Sequence, residues 1–157
     1  MEFIRNASSY STFQNFRVVL PQGGEATLAP TSADHISFDA NHHCLNGRPG
    51  DRCWMVCRGI EYGAHFHFKL DAGEWVPQDR PYVSRLDSGK DASAPAIKWL
   101  LAAALEIVRE FVAQHPEALT FAERERRARD TERKQAELDE AERRVIALKA
   151  ELAELEN

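Results

Sequence analysis

No run of apolar residues in this chain is long enough to cross a bilayer. The most hydrophobic stretch, Trp99 to Val108, falls far short of the roughly 20 residues a spanning helix needs, and Lys98 and Arg109 bound it. The opening Met-Glu-Phe-Ile-Arg-Asn places an acid at position 2 and has no apolar core of signal-peptide length, so no leader is expected. Cysteine is scarce. Three residues, an odd number, sit in a chain that is 43% hydrophobic and needs no disulfide framework to hold a core. A reducing cytoplasm is the simplest expectation, and on it the Asn6-Ala7-Ser8 sequon is an accident.

Catalytic signatures are missing as well. The chain has no Gly-x-Ser-x-Gly elbow, no P-loop, no His-Glu-x-x-His and no dinucleotide fingerprint after a strand. No catalytic residue and no cofactor are assigned. A net charge of −5 argues against a surface adapted throughout to phosphate backbones.

What is present divides into two. Residues 1–115 read as an α+β domain, an antiparallel sheet packed by one amphipathic helix, and residues 116–157 as a long charged C-terminal helix with a short coiled-coil seam. Up to about Val83 the pattern is mostly β. Phe16 to Leu20 is a β-branched run stopped by Pro21-Gln22-Gly23-Gly24, and Glu25 to Leu28 and His35 to Asp39 are shorter strand candidates. Asn46-Gly47 and Pro49-Gly50 mark Asn41 to Asp51 as a loop or a wide hairpin connection. Cys53 to Arg58 and Ile60 to Leu70 form the best strand pair, with Gly59 or Gly63 at a turn or bulge. In the second strand Ile60, Tyr62, Ala64, Phe66, Phe68 and Leu70 share a core face, and Glu61, His65, His67 and Lys69 a wet one. Asp71-Ala72-Gly73 turns towards a short strand at Trp75-Val76, and Pro77 and Pro81 suggest an irregular passage.

From Pro95 to Gln114 the period becomes helical. Ile97, Leu100, Leu101, Ala104, Leu105, Val108, Phe111 and Val112 make an apolar face wide enough to cover a sheet. Ser93 is placed to cap this helix, and His115-Pro116 to end it. Thr120-Phe121-Ala122-Glu123 fits a capping box that starts the next helix. Along it Glu123/Arg127, Glu125/Arg129, Asp130/Lys134, Asp139/Arg143 and Glu140/Arg144 are spaced i, i+4 with the acid first, each worth about 0.2–0.5 kcal/mol.

Leu138, Val145 and Leu152 then repeat every seven residues, with Ala141, Leu148 and Leu155 three positions later, an a/d seam. In a parallel, in-register pair the flanking charges meet as Glu137 with Glu142, Arg144 with Lys149, and Glu151 with Glu156, and every pair repels. An antiparallel register setting Val145 against Leu148 brings Arg144 to Glu151 and Glu142 to Lys149, and both attract. The expectation is a homodimer paired antiparallel. The competing expectations are a fold-back onto the Pro95–Gln114 helix and a solvated amphipathic tail.

Histidine and cysteine cluster at His42-His43-Cys44, Cys53, Cys57 and His65-Phe66-His67. Cys53 and Cys57 with His65 and His67 supply the donor types of a zinc site, although alternation along a strand is also how buried free cysteine packs. Gly59, five residues, His65-Phe66-His67 and then Asp71 resemble the first metal-binding motif of the cupin family. That resemblance implies His65 and His67 as metal ligands inside a β-barrel, with Asp71 in place of the usual Glu. It covers about thirteen residues, lacks the Gly expected beyond the acid, and is followed by no second motif.

The run Arg124, Arg126, Arg127, Arg129, Arg133 and Lys134 is locally basic and gives an alternative, nucleic-acid-binding reading. Interleaved Glu125, Asp130 and Glu132 weaken its field. The favoured functional expectation is a cytoplasmic, non-enzymatic interaction module that self-associates and binds another protein, as small accessory or inhibitor proteins of bacterial viruses do. Its candidate partner-binding residues are Glu61, His65, His67 and Lys69 on the wet strand face and Arg124, Arg126 and Arg127 on the helix.

Overall fold

A computed structural model of the chain describes residues 1–6, 14–41 and 52–155. It is α+β, a seven-stranded antiparallel sheet followed by two helices. The strands are β1 (Phe3–Asn6), β2 (Asn15–Val19), β3 (Gly24–Ser32), β4 (His35–Asp39), β5 (Trp54–Cys57), β6 (Ile60–Asp71) and β7 (Glu74–Arg85), and the helices α1 (Ala94–Gln114) and α2 (Pro116–Leu155). Two compact units result, Met1–Glu123 and Arg124–Asn157. The first therefore runs past residue 115 to include the opening turns of α2, where Ala118 and Ala122 are buried.

Sheet order follows from one interrupted position. β3 pairs with β5 at Gly24 and Glu25 and with β4 from Thr27 onward. β6 pairs with β5 through Ile60–Tyr62 and with β4 through His65–Lys69. β4 and β5 are thus two halves of one strand position between β3 and β6, separated in sequence by residues 40–53. Most of the expected Asn41–Asp51 loop, with His42, His43 and Cys44, lies outside the described residues.

Both hairpins about β6 use the turn that suits a right-twisted ribbon. Arg58 and Gly59 have φ of 53° and 76°, and Ala72 and Gly73 have φ of 47° and 86°. Two consecutive left-handed residues make the tight two-residue hairpin. β7 is longer than expected. It continues through Pro77 and Pro81, with a register shift opposite His65/His67 and Asp79 at φ 56°. Among the described strands β7 pairs only with β6, and its other bridge, Ser84 to Asp91, lies beyond the prolines. Pro77 and Pro81 therefore sit where an edge strand tolerates the loss of the N–H groups that proline removes.

α1 closes one face of the sheet. Ala96, Leu100, Ala104, Ile107, Val108 and Phe111 are buried, against inward residues including Phe38, Ala64, Phe66 and Phe68. Phe111 meets Phe3 and Phe16 edge-on at centroid distances of 5.2 and 4.8 Å, contacts worth about 0.5–1.5 kcal/mol each beyond area burial. Ser93 occupies the N-cap without a side-chain cap bond, and Pro95 lies in the first turn as expected.

The break between the helices is a single residue. His115 accepts from Ala118 N–H through its carbonyl, and Pro116 begins α2. Proline suits a first helical position because the N–H it lacks has no partner there. The capping-box expectation therefore fails. Thr120 lies inside a helix already under way.

The cysteines also depart from expectation. Cys57 is free and buried on β5, but Cys53 is disulfide-bonded. No helix among the described residues is long and apolar enough to cross a membrane.

Gly24 is the tightest point of the sheet. It has φ +95°, and a Cβ there would stand 2.1 Å from the Trp54 carbonyl oxygen, whereas Gly59, at φ +76°, faces open space. Gly59→Ala should cost only the left-handed penalty, about 1–2 kcal/mol. Gly24→Ala should cost more than that, because β5 must move. Urea unfolding of the two variants compares them, and equal losses would show that the β3–β5 approach is not constrained.

Candidate interaction surfaces

The polar face of the sheet is built by parity. On β6, Tyr62, Ala64, Phe66 and Phe68 are buried, so Glu61, His65, His67 and Lys69 face outward, as the alternation predicts. Register then adds neighbours. Asp39 lies opposite His65, Ser37 opposite His67 and His35 opposite Lys69 on β4, while β7 sets Tyr82 against His65 and Gln78 against His67.

Within this face His65 and His67 approach each other, Nε2 to Nε2, at 2.9 Å. Two neutral imidazoles make that contact with one N–H donating and one lone pair accepting. His65 Nδ1 faces Asp39 Oδ2 at 3.5 Å. The other Asp39 oxygen accepts from the Asn41 backbone N–H at 2.8 Å, which holds the carboxylate in place. At the far end of β4, Asp34 accepts from Ser32 Oγ at 2.7 Å and pairs with His35 Nδ1 at 2.7 Å. These bonds lower the Asp34 pKa, Ser32 first and His35 second. The His67 pKa is lowered chiefly by partial burial and then by His65, with His35 adding to the fall and Asp79 and Asp39 opposing it.

Neither expected metal constellation assembles. Asp71, at the β6–β7 turn, is four residues beyond His67 on the same strand, roughly 13 Å away at strand rise, so it does not join His65 and His67. The two histidines lie on the face opposite the core rather than inside a barrel. Cys57 points the other way, into the core, and the Cys53 sulfur is already bonded. A convergent Cys53, Cys57, His65, His67 site is therefore corrected, because strand alternation separates its members. Among the described residues no group of three His, Cys, Asp or Glu side chains is arranged to hold a metal ion.

The second surface lies on α2. Beyond Arg124 the helix runs unbroken to Leu155. Of the expected charge pairs, Glu140–Arg144 forms at 2.7 Å. Asp130 pairs with Arg126 at 3.3 Å and with Arg133 at 2.9 Å, while Arg143 donates to the Asp139 carbonyl oxygen at 3.1 Å. Arg124, Arg126 and Arg127 are exposed and at 100° per residue fall within an arc of about 160°, but Asp130 stands inside that arc and pairs with Arg126 at 3.3 Å.

The seam residues are bare. Leu138, Val145, Leu148, Leu152 and Leu155 are exposed, at 53, 49, 62, 59 and 85%. Leu138, Ala141, Glu142, Val145 and Ile146 line a shallow groove along the helix. Ile146, 68% exposed, widens the stripe. A strict seven-residue count passes over it, although it stands eight residues after Leu138, on the same helical side. Asp39 and His35 were also missed, since their nearness to His65 and His67 depends on cross-strand register.

Comparison with protein-family models, with curated proteins and with solved structures found no match.

A pH effect follows from the histidine pair. The folded pKa of His67 is below 6.5, so folding favours its neutral form. That contribution is complete above the unfolded value and is lost as pH falls through the folded one. Thermal unfolding in metal-free buffer should show the melting temperature falling on acidification below about 6.5, and His67→Gln should flatten that slope. An unchanged slope in His67→Gln would assign the titration elsewhere.

Proposed function

We propose that this chain is a non-enzymatic interaction protein that pairs with a second copy of itself through residues 138–155 of α2 and binds another protein, in the manner of accessory or inhibitor proteins of bacterial viruses. One observation carries the reading: an unbroken helix holds a line of leucines and a valine in solvent. Ordinary surfaces scatter exposed apolar residues singly, and a continuous line of them marks a contact surface.

Charge selects the direction. The antiparallel register that sets Val145 on Leu148 also sets Ala141 on Leu152 and Leu138 on Leu155, so all six seam residues find partners. Arg144 then meets Glu151 and Glu142 meets Lys149, whereas the parallel pairing opposes like charges at each flanking contact. For the second protein, the outward strand face with Glu61, His65, His67 and Lys69 is the proposed contact. The basic residues Arg124, Arg126 and Arg127 do not favour nucleic acid, because Asp130 sits among them and pairs with Arg126.

The proposal places the protein in the cytoplasm, and the Cys53 disulfide is the observation that opposes this. Mass spectrometry of alkylated protein from its native cells decides it. Three alkylated cysteines support a reducing compartment, and a single one rejects it.

Light scattering tests the pairing. The full chain should be a dimer at micromolar concentration, and truncation after Lys134 or Leu148→Glu should give a folded monomer. Arg144→Glu separates the directions. It sets Glu against Glu151 in the antiparallel pair and should weaken the dimer about tenfold or more, a cost of roughly 1.4 kcal/mol, with Glu151→Arg restoring it. In a parallel pair the same change meets Lys149 and strengthens the dimer. A full-length monomer overturns the proposal.

A further inference from the structure

The outward face of β6 and β4 carries a second feature, independent of the helix. His65 Nε2 and His67 Nε2 converge to 2.9 Å from adjacent outward positions of one strand. Two nitrogens each about 2.0–2.1 Å from a common ion stand about 2.9 Å apart at a right angle and about 3.3 Å apart at a tetrahedral angle. The observed separation matches the right angle, the geometry of tetragonal ions. Behind the pair, Asp39 faces His65 Nδ1 at 3.5 Å and is itself held by the Asn41 N–H at 2.8 Å. A carboxylate on the far nitrogen of a ligating histidine fixes the proton on Nδ1 and leaves the Nε2 lone pair free for a metal.

We propose that His65 and His67 bind one tetragonal divalent transition ion, of the Cu2+ class, through their Nε2 atoms. Asp39 positions His65, and water fills the remaining coordination sites. The ion takes the place of the hydrogen bond between the two imidazoles. The ring that now donates from Nε2 shifts its proton through solvent to its own Nδ1, so both Nε2 lone pairs face the ion and no net proton is released. Two protein ligands suffice for an exchangeable site of this kind, in keeping with the lack of a three-residue cluster among the described residues. The open positions point outward, where a side chain of a bound protein can complete the shell. Asp71 takes no part. Cu2+ leads the affinity order for such nitrogen donors, ahead of Ni2+ and Zn2+.

The test uses the full chain carrying His42→Ala and His43→Ala, which removes the other histidine pair of the sequence. Titration with Cu2+ in a weakly coordinating buffer, followed by electron paramagnetic resonance, should show saturation at one equivalent with coupling to two imidazole nitrogens. His65→Ala and His67→Ala should each lose the two-nitrogen pattern and weaken binding at least tenfold, with the far-ultraviolet circular dichroism unchanged. Asp39→Asn keeps an oxygen for the Asn41 N–H and should keep the two-nitrogen pattern, with affinity lowered about tenfold. His67→Gln serves as the second variant if an alanine chain fails to fold. Unsaturable uptake, or unchanged binding in a folded His67 variant, overturns the site. Unchanged affinity in Asp39→Asn overturns the positioning role.

Discussion

The period-two alternation of β6 is the constraint on which the first unit depends. β6 is paired on both edges, with β4 and β5 along one and β7 along the other, so its register is not free to slip. A shift of one residue would carry Ala64, Phe66 and Phe68 into solvent and drive two histidines and a lysine against α1. Each buried Phe is worth about 1.5–3 kcal/mol over exposure, so the alternative register is excluded by several times the thermal energy. The same lock sets the chemistry of the outer face. His65 and His67 are neighbours there because Phe66 between them is buried inside.

That dependence explains what was legible in the sequence. The alternation of β6 and the apolar face of α1 are local periodicities. The first is as read, and the second is turned, with Ala96 and Ile107 buried and Ile97, Leu101, Leu105 and Val112 only partly covered. The turns at Gly59 and Ala72-Gly73 are likewise local, since a tight turn demands residues that accept positive φ. Less legible were features set by distant chain. Nothing within Pro77–Pro81 says that its strand lies at an edge, where proline does no harm. Thr120-x-x-Glu123 has the residues of a helix start, yet Pro116 had already provided one. Asp39 stands 26 residues before His65, and only the β4–β6 ladder makes them partners. The candidate site was half visible for this reason. Its histidines share a strand, but the carboxylate beside them comes from another.

The second unit obeys a different rule. Between Arg124 and Leu155 there is neither proline nor glycine, and alanine, glutamate, arginine, lysine and leucine dominate. These residues lose the least on entering a helix. Charge pairs such as Glu140–Arg144 add tenths of a kcal/mol each. Local terms therefore account for the helix, and the apolar stripe is surplus to it. Helix propensity does not explain the stripe from Leu138 to Leu155, and the proposed pairing is the reading that gives it a role.

A helix held by local terms also lowers the cost of the proposed pairing. A disordered segment that folds on binding must give up its backbone freedom at that moment, about 1–2 kcal/mol per residue. A seam already helical has met that cost, so the modest gain from covering six small-to-medium side chains need only exceed the loss of rigid-body freedom. The margin remains narrow over so few heptads. Charges at the rim then matter more than they do in a long coiled coil. With core packing similar in both directions, the contacts Arg144–Glu151 and Glu142–Lys149 against Arg144–Lys149 and Glu137–Glu142 decide which way two copies lie.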